Sequence, residues 1–151
     1  MIEPYTRRFL VRWGDVDFNG HMRNTAYLDV SSDVRMLCFA DGGFPMREFE
    51  RLRVGPVVFK DEVEYLRELR LLEPFTVTLA LAGLSQDGAR FRLRNAFADE
   101  SGRPVARVTS TGGWLNLDAR RLLPPPEPVA RVLAGLRRTE DYAVLEGGGR
   151  S

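Results

Sequence analysis

Two residue types that build many active sites are nearly missing from this chain. There is one cysteine, Cys38, and one histidine, His21, in 151 residues. A lone cysteine excludes an internal disulfide, and with a single histidine there is no material for a clustered Cys/His metal site. Any serine–histidine or cysteine–histidine catalysis has only His21 to draw on. Charge of one sign is not in excess either, since 22 Lys and Arg face 21 Asp and Glu for a net +1. Such a balance gives no argument for a nucleic-acid partner or a membrane surface. No apolar run approaches the ~20 residues that span a bilayer, and Met1-Ile2-Glu3-Pro4-Tyr5 does not read as a signal peptide. The composition therefore points to a soluble cytoplasmic protein with no nucleic-acid or membrane partner.

What is present suits one domain with a real core, with 44% apolar residues. We expect that domain over residues 1–137. The polar tail 138–151, with Gly147-Gly148-Gly149, is expected to be poorly ordered. Residues 7–13 alternate, Phe9, Val11 and Trp13 against Arg8 and Arg12, which argues a half-buried strand. A helix is predicted from about Thr25 to Asp41, with Asn24 as its N-cap, apolar on most sides and hence buried. Gly42-Gly43 ends it. Four long strands follow, over 57–65, 75–82, 90–97 and 105–117, parted by turns of Gly, Pro, Asp and Ser. Gly112-Gly113 marks a bulge or a close approach. A short helix opens near Pro128, with Val129, Val132, Leu133 and Leu136 as its stripe. A strand, a buried helix and a run of antiparallel strands make an α+β pattern.

The chemistry concentrates in residues 13–27. There a strand gives way to a turn with two carboxylates, Asp15 and Asp17, two glycines and His21, and then to the helix. The first N–H groups of a helix have no partner inside it and favour negative charge. A carboxylate beside such donors suits attack on a carbonyl that becomes an oxyanion. The spacing Asp-x-Asp-x-x-Gly-His-x-x-Asn-x-x-Tyr at 15–27 resembles the active-site segment of the hotdog-fold acyl-CoA thioesterases of the 4-hydroxybenzoyl-CoA thioesterase-like group. The resemblance covers roughly residues 5–125.

It implies an antiparallel sheet wrapped around a central helix. It also implies hydrolysis of an acyl-CoA to free acid and CoA without metal or cofactor, and a homodimer or homotetramer with sites between subunits. Asp17 stands where that family keeps its base or nucleophile, and the Asn24 N–H where the thioester carbonyl points. His21 either orients the substrate or pins the loop. Gly20, Thr25, Tyr27, Val58 and Phe59 are candidates for substrate binding, although Tyr27, Val58 and Phe59 also suit a plain core. Asp15 suits a hydrogen bond to the turn backbone. The stripe Arg90, Arg92 and Arg94 suits either CoA phosphates or a solvated face. Two other activities use the same residues: a hydratase or dehydratase pairing His21 with Asp17, and a non-catalytic acyl-CoA-binding protein.

Overall fold

Period-two patterning over residues 74–116 becomes three long neighbouring strands in the computed structural model, which describes residues 3–147. In chain order the elements are β1 (Tyr5–Leu10), α1 (Asn24–Asp41), α2 (Met46–Leu52), β2 (Val54–Tyr65), β3 (Pro74–Ser85), β4 (Arg90–Asp99), β5 (Pro104–Asn116), β6 (Arg121–Leu122), α3 (Glu127–Ala134) and β7 (Arg138–Leu145). The sheet order is β1-β3-β4-β5-β2, antiparallel throughout this path, with β6 beside β5 and β7 beside β3. The sheet curls as a half-barrel against α1, as the hotdog resemblance implies.

Alternation sets which side chains meet the helix. Phe75, Val77, Leu79 and Leu81 of β3, and Phe91, Leu93 and Phe97 of β4, are all buried, while Arg90, Arg92 and Arg94 point the other way. From α1, Ala26, Tyr27, Val30, Val34, Cys38 and Phe39 face this core at three- and four-residue spacing. The helix is buried along one side only, because Asp29, Ser32, Asp33 and Ala40 are exposed.

Several expectations are corrected. The first strand ends at Leu10, and Trp13 lies in a 3-10 turn (Trp13–Asp15) with 78% of its surface exposed. In β2, Val58 pairs with Gly112 and Lys60 with Thr111, so Phe59 is the extra residue of a bulge. The side-chain alternation is broken there, and Phe59 and Tyr65 end up exposed. The glycine at 112 serves a close approach, since a Cβ there would overlap the Val57 carbonyl oxygen. Residues 44–53, read as a connection, contain α2.

The tail is the largest difference. Arg138–Leu145 forms β7, which runs parallel to β3 through Leu81↔Arg138 and Gly83↔Ala143 to Ser85↔Leu145. β1 covers the first half of the same β3 edge, from Pro74 to Leu79. Two contacts explain why so polar a segment holds its place. Arg94 grips Asp141 with two hydrogen bonds of 2.9 Å, and the missing side chain of Gly83 admits Leu145 and Ala143. The rest of the expected tail, from 148 onward, lies outside the described residues.

Candidate active site

The turn after the 3-10 segment is closed by its own backbone. Val16 bridges Met22, the Asp17 N–H donates to the His21 carbonyl (2.8 Å), and the Gly20 N–H donates to the Asp17 carbonyl (3.0 Å). Gly20 takes φ +80, which a side-chain-bearing residue rarely adopts. The turn is tied to the segment before β3, because Met22 N–H donates to Leu69 O (2.8 Å) and Leu71 N–H to Gly20 O (3.1 Å).

Asp15 and Asp17 part company here. Asp15 is buried, and its carboxylate accepts from Arg12 Nε (2.8 Å) and lies 3.6 Å from Arg23 Nη1. It thus binds two arginines rather than the turn backbone. Arg23 also donates to the Gly14 carbonyl and to Thr25 Oγ1 (3.1 Å), so the residues flanking the turn are clamped together. Asp17 is exposed. Its Oδ1 accepts the N–H groups of Asn19 (2.9 Å) and His21 (3.2 Å), which orients the carboxylate.

The helix begins one residue earlier than expected. Arg23 is the N-cap, with extended φ −71 and ψ 152, and no side chain caps the helix. Asn24 is therefore the first helical residue and not the cap. Ala26 N–H already donates to Arg23 O (3.0 Å), whereas no acceptor is described for the N–H of Asn24 or Thr25. The first turn carries no acidic side chain, so nothing in it offsets the positive end of the helix.

Asp17, His21, Asn24 and Tyr27 line one cavity of about 290 Å³, and Tyr65, Leu66, Arg67 and Glu68 complete its wall. Tyr65 hydroxyl donates to the Asn24 carbonyl (3.1 Å), tying the end of β2 to the helix start. Tyr27 is buried edge-on against Tyr65 (5.5 Å) and Phe97 (5.1 Å). Burial pushes its hydroxyl up to about 12, aided by Tyr65, so it is a neutral donor at ordinary pH. His21 Nε2 is buried and lies 3.3 Å from Glu68 Oε2, off the line of a hydrogen bond. That approach becomes an ion pair only when the ring is protonated.

The other candidates fall outside this cavity. Thr25 is exposed and engaged with Arg23, and Gly20 acts through the turn. Val58 lines a different cavity, and Phe59 is exposed with the Arg90 guanidinium 5.4 Å from its ring centre. Of the arginine stripe, Arg92 reaches Thr111 (3.4 Å), and Arg94 reaches Thr109 (2.9 Å) as well as Asp141. Sequence reasoning missed Arg67 and Glu68 as parts of the wall, because nothing local marks them as neighbours of residues 17–27. Among the described residues no group of three or more His, Cys, Asp or Glu is placed to hold a metal ion. No described helix is long and apolar enough to cross a membrane.

Comparison with known proteins bears on this arrangement. The family model described as "Thioesterase-like superfamily" matches residues 11–133. No curated protein sequence matches the chain. Among solved structures, a hypothetical protein from Staphylococcus aureus in complex with CoA superposes with a TM-score of 0.82 at 23% identity, covering 99% of this chain and 92% of that one. A 1,4-dihydroxy-2-naphthoyl-CoA thioesterase from Synechocystis gives 0.78 at 14% identity, covering 87% and 96%. A gentisyl-coenzyme A thioesterase gives 0.74 at 20% identity, covering 85% and 98%.

Proposed function

Because this chain belongs to the thioesterase-like superfamily, we propose that it hydrolyses an acyl-CoA thioester to the free acid and CoA. The observation that carries the reading is the cavity shared by the Asp17 carboxylate and the acceptor-free start of α1. The thioester carbonyl points at the Asn24 N–H, which takes the charge of the tetrahedral oxyanion. Asp17 either draws a proton from the attacking water or attacks the carbonyl itself. In the first route the new C–O bond forms as Asp17 takes the proton. The C–S bond then breaks, and that proton leaves with the thiolate. His21 holds Asp17 through its backbone N–H. Tyr27 offers a neutral hydroxyl in the wall.

Structural neighbours bound to CoA or described as acting on aromatic acyl-CoAs support a CoA thioester as the substrate class. A cytoplasmic location goes with such a substrate. We place the active form in a homodimer or homotetramer. β2 ends the sheet with exposed Val58, Phe59, Tyr65 and Leu66, an edge that pairing would cover. Val58 and Phe59 would then meet substrate from a neighbouring copy.

The test is thiol release from a panel of acyl-CoAs, with Asp17→Asn beside the parent chain. Removing a general base costs ~10²–10⁴ in rate. The variant should melt normally and lose turnover on that scale. Undiminished kcat at saturating substrate would move the chemistry away from Asp17.

A further inference from the structure

A second cavity, of about 150 Å³, lies between α1 and strands β2, β4 and β5, and shares no lining residue with the Asp17 cavity. Its walls include Phe39, Phe91 and Trp114, and Arg35 also lines it. Ser32, Pro56 and Val58 are its exposed members and form the rim. At 1.5 Å per residue, Arg35 sits about 16 Å along α1 from Asn24. We propose that this cavity is a binding site for a small aromatic carboxylate, its ring between Phe39, Phe91 and Trp114 and its carboxylate on Arg35.

The size comes first. A dry cavity of about 150 Å³ lined by apolar side chains accepts one benzene ring. The walls suit a ring as well, since Trp114 already packs against Phe39 at 5.5 Å and Phe91 at 5.1 Å, in the spacing that aromatic pairs favour.

The charge argues for an anion. Arg35 is only 8% exposed, and no carboxylate lies within 4 Å of it among the described residues. Nε donates to Asn95 Oδ1 (3.0 Å) and Nη2 to Ser110 Oγ (2.6 Å), while Nη1 has no described acceptor. The nearest negative charge on this network is Asp61, reached through the Ser110 hydroxyl. A buried cation without a direct counter-ion is costly, and burial pushes this guanidinium down to about 10. A carboxylate in the cavity would supply the counter-ion. Trp114, wholly buried, also keeps an indole N–H without an acceptor.

The experiment reads Trp114 directly. The chain has two tryptophans, and Trp13 is exposed, so Trp13→Phe leaves Trp114 as the sole indole reporter. Fluorescence is titrated with benzoate, with its neutral isostere benzamide and with acetate, which lacks the ring. No thioester is present, so the outcome is independent of turnover. Benzoate should give a saturable change. Benzamide and acetate should bind at least about tenfold more weakly, the size of one charged hydrogen bond. Arg35 also supports Asn95 and Ser110, so its replacement endangers the fold, and benzamide stands in for that variant. Val58→Tyr, which narrows the rim at an exposed position, should abolish the response while circular dichroism is unchanged. The proposal is overturned by no saturable response, by equal binding of benzamide, or by a folded Val58→Tyr that still responds. It is also overturned by a Trp114 signal that follows protein concentration and ignores benzoate, which would mean a second copy closes the cavity.

Discussion

Replacing Asn24 by proline separates the backbone donor from everything else this residue does. Arg23, the residue before it, already has φ −71 and ψ 152, the extended geometry that a following proline demands. Asn24 is the first helical position, where proline is favoured and where its missing N–H breaks no helix bond. The Asn24 side chain makes no cap bond, so Asn24→Ala loses no cap energy either. Both variants should lie within about 0.5 kcal/mol of the parent, as for an ordinary surface change. In a chain of this size that shifts Tm by only about 1–2 °C. The Tyr65 bond to the Asn24 carbonyl survives in both. Turnover should divide them. If the Asn24 N–H holds the oxyanion, its loss costs ~10²–10³ in kcat, while Asn24→Ala keeps the donor. Thiol release at saturating acyl-CoA measures the rates, and thermal melting by circular dichroism checks the fold. A folded Asn24→Pro that turns over as fast as Asn24→Ala would refute an oxyanion site at this residue.

Gly112→Ala should be among the most damaging single-methyl additions, because the new Cβ meets the Val57 carbonyl across the β2–β5 ladder and backbone cannot step aside. Overpacking of this kind costs about 3 kcal/mol, so Tm should fall by about 6–12 °C; an unchanged melt would contradict the close approach. Asp99 accepts from the Ser101 hydroxyl (2.8 Å), from the Arg103 N–H (3.0 Å) and from Arg103 Nε (2.9 Å). These bonds, Ser101 first, hold its carboxyl down to about 2. The folded value is the lower one, so the stabilisation is complete above the unfolded pKa of ~3.9. It drains away as pH falls through about 2. Asp99→Asn should therefore lower the urea midpoint at pH 6 and converge with the parent near pH 2; a gap independent of pH would assign the effect to packing. Light scattering over a dilution series should show at least a dimer, and a folded, active monomer would remove the proposed role of a neighbouring copy.

Local pattern made much of this chain legible. The two-residue period of Phe75 to Leu81 and of Phe91 to Phe97 needs only neighbours to declare a strand with one buried face. The three- and four-residue spacing of Tyr27, Val30, Val34 and Cys38 likewise declares α1. The motif at 15–27 marked the turn and helix start whose residues share a cavity. Tertiary structure decided the rest. Asp15 found arginines on both sides of the turn, and Asp17 was left facing the cavity. Arg138–Leu145 has no period that announces a strand. It is ordered by Arg94 and by the free half of the β3 edge, both remote in sequence. Tyr65 and Glu68 stand beside Asn24 and His21, some forty residues earlier, only because the sheet curls back over the helix start. Periodicity reports how a residue relates to its own element. A cavity is built where several elements converge, and that convergence is set by strand pairing and core packing over long sequence separations.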